Sequence, residues 1–278
     1  MPPLSLAIDE PGIYYDASRP SGLEDILNHA EIDAVLLAEA RQLGRRVVEA
    51  KITKYNLAAA TGLPPLPQER QKILVIGQVA DDEAVRLGIP GGMAPDHHVN
   101  ASLLAAVRRR HPAGFVIFKP HPDAERLGRA GALTAEQERR DADWIARDFT
   151  LELLYSAVDR VETFGSLAGF EALLRGLPVT VHGMPFYAGW GLTEDLLSCP
   201  RRIRRRSLDE LVAAALILYP RYFDPESGLP CPPQVALDRI AGSKDGKPPP
   251  LARLAALAGR SIIAWRRLMA LPGARRRT

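Results

Sequence analysis

TFGSLAGFEALLRGLPVTVHGMPFYAGWG, residues 163–191, is the stretch that decides the fold. Just ahead of it, Arg160–Thr163 reads as a short strand, and Gly165 and Ser166 turn the chain into a helix over Leu167–Arg175. Gly176 ends that helix, and a second buried strand starts over Pro178–Val181. Strand, helix and strand joined this closely form a βαβ unit, whose strands lie parallel. The first amides of the helix lack intrahelical acceptors and carry the positive end of its dipole, so a phosphate docks there. Thr163, Gly165 and Ser166 stand at that turn. Glu171 lies further into the helix, where its carboxylate can accept hydrogen bonds from ribose hydroxyls. The plainer alternative is an ordinary βαβ unit with Ser166 as its N-cap.

Towards the N-terminus the alternation continues. Ile73–Ile76 reads as a buried strand, Asn100 as the cap of a helix running through Arg110, Phe115–Lys119 as a strand and Leu151–Val158 as a helix. Such alternation builds a mostly parallel sheet covered on both faces, with ligands at the carboxyl ends of its strands. Four polar clusters fall at those ends: Gln78–Glu83, His121–Asp123, Thr163–Ser166 and His182–Pro185. Their convergence on one rim is what marks a site.

The composition excludes several classes. With 278 residues, 46% hydrophobic and 25% charged, the chain has room for one large or two modest globular domains. A net charge of +3 gives no argument for nucleic acid, although RRIRRR (Arg201–Arg206) and the tail gather much of the positive charge. Cys199 and Cys231 form no CxxC pair and have no histidines at metal spacing, which suits a reducing cytoplasm and no metal or cofactor. The first residues lack the pattern of a signal peptide, and no apolar run approaches the ~20 residues of a membrane span.

The flanks read as follows. Leu4–Ala7 and Ile13–Tyr15 suggest a hairpin around Glu10-Pro11-Gly12, and Ser21 with Glu24 makes a capping box. Leu36, Ala40, Leu43 and Val47 recur at helical spacing. Gly62–Pro67 is a proline-rich linker, which places a domain boundary there. Ser207 caps a helix over Leu208–Leu218. Beyond a linker at 244–250, residues 251–271 form an amphipathic helix in which Leu254, Leu257, Ile262, Trp265 and Leu268 lie among arginines. That helix either lies on an anionic membrane surface or packs back on the protein. The expected division is 1–67, 71–241 and 242–278.

Gln78-Val79-Ala80-Asp81-Asp82-Glu83 sets three carboxylates after a strand, either a solvated turn or a nucleophile or base at the sheet rim. Lys119-Pro120-His121-Pro122-Asp123 is more specific, because two prolines stiffen the backbone around one imidazole that can hydrogen-bond a departing phosphate. Asp141-Ala142-Asp143 has the form of a DxD metal signature but follows two arginines and reads as a solvated face; His97-His98 reads as a solvated loop pair. Phe186, Tyr187 and Trp190 are either core aromatics or a platform for a sugar.

Several strings taken together resemble one family. They are GIYYDASRPS (12–21), KYN (54–56), GQVADD (77–82), FKPHPD (118–123), GSLAGFEALLRGLPVTVHGMPFYAGWGLT (165–193) and LILYPRYFDPESG (216–228). They are similar to the KpsC-type capsular polysaccharide biosynthesis proteins, bacterial β-Kdo glycosyltransferases. The resemblance covers roughly residues 3–240 and implies a GT-B architecture, with a parallel-sheet Rossmann-like donor lobe binding CMP-Kdo. It implies transfer of β-Kdo to a lysophosphatidylglycerol-linked acceptor at the cytoplasmic side of the inner membrane, among other capsule synthesis and export proteins. By it, His121 contacts the phosphate and assists CMP departure, Ser166 holds the phosphate and Glu171 the ribose. Gln78, Lys119 and Thr163 complete the donor site. Asp82 is the nucleophile of a retaining mechanism, with Asp81 the alternative.

Two departures accompany the resemblance. Family modules carry a further lobe ahead of the GIYY motif, and Glu83-Ala84-Val85 stands where they usually have Ala-Ser-Ile. The N-terminal segment is therefore expected to be a lobe remnant with Leu4, Leu6 and Ile13 exposed, the stable fold to begin near Gln71, and the chain alone to bind CMP with little transfer. The competing reading is a noncatalytic CMP-binding partner in capsule assembly. A nucleotide-sugar epimerase is disfavoured for want of a GxGxxG loop.

Overall fold

The computed structural model describes residues 4–53, 62–91, 98–126 and 129–242. The KYN string, His97, the linker at 244–250 and the tail helix at 251–271 lie outside the described residues. From the N-terminus the elements are β1 (Ser5–Leu6), α1 (Gly22–His29), α2 (Ala34–Glu49), β2 (Lys72–Ile76), α3 (Glu83–Arg86) and α4 (Val99–Arg110). Then come β3 (Phe115–Lys119), α5 (Pro122–Arg126), α6 (Ala135–Asp141), β4 (Trp144–Ile145), α7 (Leu151–Tyr155) and β5 (Arg160–Thr163). The chain continues through α8 (Leu167–Leu174), β6 (Val179–Val181), β7 (Glu194–Asp195) and α9 (Leu208–Val212), which runs on as a π-helix over Ala213–Leu218. It ends in β8 (Arg221–Phe223), β9 (Pro230–Cys231) and α10 (Pro233–Gly242).

β2 and β3 are apolar runs whose inner residues are buried on both sides, as a doubly covered parallel strand requires. Six parallel strands follow the order β4-β3-β2-β5-β6-β7. This is the doubly-wound order, in which the chain works outward from β2 to one side, then returns to β5 on the other. Alternation sorts the side chains. Ile73, Val75, Val116 and Phe118 pack under Leu103, Leu104 and Val107 of α4, while Leu74, Ile76, Ile117, Val161 and Val181 face the larger core. The parallel Rossmann-like lobe expected from the sequence is the one observed.

The contacts divide the chain elsewhere than the proline-rich linker. Ala7–Pro220 form one compact unit, and the rest falls into a second. Helix periodicity explains the difference: Leu23, Leu27 and Ala40 of α1 and α2 join Leu74, Leu154, Phe170 and Leu211 in a single core. Loop 201–206 ties α1 down further. Arg201 and Arg202 hold the Glu24 carboxylate at 3.0 and 2.9 Å, and the Arg206 guanidinium donates to the Leu27 and Ala30 carbonyls. Arg202 and Arg206 of the RRIRRR string are thus internal mortar, whereas Ile203 and Arg205 are exposed. Leu6 is exposed as expected, but Leu4 and Ile13 are half-buried. Leu27→Ala is therefore expected to lower the stability of the whole Ala7–Pro220 unit by about 2–5 kcal/mol in urea unfolding, as one transition. A local loss that spares the sheet would contradict this packing.

Three local expectations are corrected. Residues 13–15 form a turn and not a strand, and β1 pairs instead with β8 (Ser5↔Tyr222), so the opening hairpin does not exist. Ser21 caps α1 by accepting from the Glu24 amide, but the Glu24 carboxylate goes to the arginines, so the box stays half-closed. Asn100 lies inside the first turn of α4 and its side chain binds backbone elsewhere, as described below. In the second unit β1, β8 and β9 make a small antiparallel sheet backed by α10, with Arg239 bridging Asp224 and Glu226.

Candidate functional site

β2 sends its chain towards β3 on one side, and β5 sends its chain towards β6 on the other, so their carboxyl ends open a crevice. The loops leaving these two strands are the Gln78–Glu83 and Phe164–Ser166 segments. A cavity of about 520 Å³ lies there, lined among others by Tyr14, Gln78, Asp82, His121, Ser166 and Phe186. A narrower cavity of about 140 Å³ adjoins it, lined by Lys119, His121, Arg147, Phe149, Leu151 and Ser166. His121 and Ser166 line both.

Ser166 is the N-cap of α8, and its Oγ accepts from the Ala168 amide at 3.2 Å, so its own proton points away from the helix. Beneath it, the fully buried Tyr187 donates to the Ser166 carbonyl at 2.6 Å. Burial pushes that phenol up, so it stays a donor. A Cβ on Gly169 would lie 2.2 Å from the Tyr187 hydroxyl, so only glycine leaves room for this buttress. Gln78 and Thr163 frame the turn: Gln78 Oε1 accepts from the Gly165 amide at 2.8 Å, and Thr163 Oγ1 accepts from the Ser166 amide at 3.2 Å. With the Ala168 amide on Ser166 Oγ, three of the amides at the turn are thus already occupied. Ser166 and its hydroxyl remain at the cavities.

His121 Nδ1 accepts from the Asp123 amide at 3.1 Å, which leaves the proton of the neutral ring on Nε2. The Lys119 ammonium donates to the carbonyls of Ala146 and Arg147, clasping the loop that walls the narrow cavity. Asp82 caps α3 through the Ala84 amide at 2.9 Å and lines the wide cavity. Asp81 is held by Arg129 at 2.9 Å. Gln78, Lys119, His121, Ser166 and Asp82 are thus brought together, with Thr163 directly beneath. Glu171 is not brought to either cavity wall: it is 5% exposed, one turn below Ala168, 3.3 Å from the Tyr155 hydroxyl.

Of the aromatic string, Tyr187 and Trp190 are core, and only Phe186 reaches the wide cavity. Its partner there is Tyr14, whose ring sits edge-on to Phe186 at 5.8 Å and to Tyr219 at 6.0 Å. Burial, then the neighbouring Tyr15 and Asp82, raise the Tyr14 phenol above its ordinary value. Tyr14 lies within the GIYY string, but no local pattern announces a side chain that meets Phe186 from 172 residues away in the chain. The DxD aspartates are structural, Asp141 lying against Arg140 and Asp143 bridging Arg70 and Arg108 while accepting the Val116 amide. Among the described residues no group of three His, Cys, Asp or Glu is placed to hold a metal ion, and no helix is long and apolar enough to cross a membrane.

A doubly-wound lobe places ligands in the crevice outside its strand ends, here beside His121 and Ser166. The comparisons narrow this. Residues 34–222 match the family described as capsule polysaccharide biosynthesis protein, and the chain belongs to that family. It is 42% identical over 227 residues to the capsule polysaccharide modification protein LipA of Neisseria meningitidis serogroup B, covering 82% of this chain and 31% of LipA. It is 39% identical over 253 residues to the lipopolysaccharide-processing protein LpsZ of Rhizobium meliloti, covering 90% of this chain and 56% of LpsZ. The chain thus spans about a third to a half of these relatives. Two Thermosulfurimonas dismutans KpsC structures share its fold. The β-Kdo 2,7 transferase has a TM-score of 0.74 at 35% identity, over 87% of this chain and 74% of that one. The β-Kdo 2,4 transferase has a TM-score of 0.75 at 36% identity, over 86% and 74%.

Proposed function

We propose that this chain carries the donor site of a retaining β-Kdo transferase, which moves Kdo from CMP-Kdo to a Kdo-bearing, lysophosphatidylglycerol-linked acceptor. The observation that carries the reading is the pair of unlike cavities sharing His121 and Ser166. The narrow one, lined by Phe149 and Leu151 together with Lys119 and Arg147, suits a nucleoside and its phosphate. The wide one, lined by Asp81, Asp82 and Glu83 together with Tyr14 and Phe186, suits sugars, whose hydroxyls want acceptors and whose C–H faces want rings. The phosphodiester then lies at the junction, against the Ser166 hydroxyl and the His121 Nε2–H.

In this scheme the Asp82 carboxylate attacks the anomeric carbon as the bond to the CMP phosphate breaks. CMP leaves with the electron pair, its added charge met by His121 and the start of α8. The acceptor hydroxyl then displaces Asp82 from the opposite face and releases its proton, and two inversions retain the configuration. Thr163 and Gln78 hold the turn, and Glu171, buried beneath Ala168 against Tyr155, supports the floor without meeting the ribose. The lipid-linked acceptor implies a cytoplasmic protein at the inner membrane surface, with residues 251–271 as the contact.

Isothermal titration with CMP, followed by assay of CMP release and sugar transfer from CMP-Kdo, tests this. The assay is run on the full chain alone and with the front lobe of a family module added. Saturable CMP binding with transfer in at least the supplemented reaction is expected. Binding without transfer in either would replace the reading by that of a noncatalytic partner in capsule assembly.

A further inference from the structure

Asn100 is 3% exposed and lines neither cavity, yet its amide is fully engaged with backbone near the site. Oδ1 accepts from the Gln78 amide at 2.9 Å, and Nδ2 donates to the Gln78 and Gly131 carbonyls, each at 2.6 Å. The side chain therefore pairs with both backbone groups of Gln78, as a neighbouring strand would, at the point where β2 ends and no strand continues. Around this clamp the two loops are stitched again. The Ala80 amide donates to the Ala130 carbonyl at 2.9 Å, and Arg129 meets Asp81. Gly131 has φ +111°, and a Cβ there would fall 2.7 Å from the Gln78 carbonyl and 2.8 Å from Asn100 Nδ2. The fit admits no side chain at 131.

What these loops present explains why the fit matters. Gln78 sets the Gly165 amide through its Oε1, and the same loop carries Asp82 four residues on. The groups assigned to the phosphate come from different elements, the β3–α5 loop and the start of α8. We propose that Asn100 is a positioning residue for sugar transfer: by fixing both backbone groups of Gln78 against Gly131, it sets the Asp82 carboxylate relative to the His121–Ser166 junction. This rests on the transferase reading above.

The test uses Asn100→Asp and Asn100→Ala in the full chain, assayed as above with CMP and CMP-Kdo. Asn100→Asp keeps the shape and the acceptor for the Gln78 amide, but sets a carboxylate oxygen against two carbonyls. Misplacing a reacting group by about 1 Å costs roughly 10²-fold, so CMP release from CMP-Kdo should fall by about that factor. CMP affinity, which Gln78 touches only through the Gly165 amide, should fall by less than about tenfold and so by less than turnover, and exchange of the Gln78 and Ala80 amides should accelerate about tenfold or more. Buried against carbonyls, the new carboxyl titrates high, and once protonated it donates one hydrogen bond. Turnover of Asn100→Asp relative to the parent should therefore recover as pH falls from 8 towards 5.5. Unchanged turnover in Asn100→Asp overturns the inference. So does a parallel loss of turnover, CMP affinity and melting temperature in both variants, which would mark a purely structural residue. A parent without turnover in the supplemented assay overturns the transferase reading itself, and the amide exchange still reports whether the clamp exists.

Discussion

Asp82→Asn is expected to abolish transfer, by roughly 10³-fold or more, while CMP affinity and fold persist. The separation is possible because Asp82 has two jobs. As the N-cap of α3 its Oδ1 accepts from the Ala84 amide, and asparagine caps as well as aspartate. As a nucleophile it needs the negative charge, which asparagine lacks. Asp81 lines the same cavity, but its carboxylate is paired with Arg129 and does not cap α3. Asp82→Ala would confound the two roles by removing the cap as well, at about 1 kcal/mol. Transfer rates, urea unfolding and CMP titration of the Asn variant measure each part, and mass spectrometry of the parent after exposure to CMP-Kdo should find the sugar on a peptide containing Asp82. Full activity in Asp82→Asn, or an adduct on Asp81 alone, would remove Asp82 from the mechanism.

His121→Ala and Ser166→Ala are expected to weaken CMP binding by about 1.5–3 kcal/mol each, the range for a hydrogen bond to a charged group. That corresponds to roughly 10–150-fold in affinity. Both residues also make local contacts. Ser166 caps α8 and His121 accepts the Asp123 amide, so some loss of stability accompanies either change. Cytidine separates the two effects, since it fills the same nucleoside pocket without a phosphate. Both variants should bind cytidine like the parent while losing their preference for CMP. Equal losses for cytidine and CMP would mean that the pocket had collapsed and that neither residue meets the phosphate.

The sheet was legible because its central strands β2 and β3 are short apolar runs buried on both faces, and Phe115–Lys119 and Arg160–Thr163 lie where the sequence puts them. The clusters at the strand ends were legible for the same reason: once the strands are parallel, their carboxyl ends share a rim. Roles within the rim were less so. Thr163 and Gln78 look like ligands in sequence because they are polar and at the turn, but Thr163 Oγ1 and Gln78 Oε1 hydrogen-bond within the turn itself. Glu171 reads as a ribose ligand because helix position alone does not say what packs against it, and Tyr155 comes from another element. The proline-rich string at 62–67 has the composition of a linker. Only long-range packing of Leu23 and Leu27 shows that the chain on both sides of it shares one core. Asn100 was misread for a related reason. A polar residue near a helix start usually caps it, and nothing local shows that its amide serves a loop 22 residues away.

The measurement that reaches the centre of this account is a crystal structure of the full chain with CMP. The account predicts the cytosine in the narrow cavity beside Phe149 and Leu151, and the phosphate at the junction, within hydrogen-bond reach of Ser166 Oγ and His121 Nε2. The wide cavity between Asp82 and the Tyr14–Phe186 wall should then stand open beside the phosphate, where the sugar would be. A nucleotide seated with its base on that aromatic wall, or with its phosphate away from both His121 and Ser166, would contradict the assignment of the two cavities and the mechanism built on it.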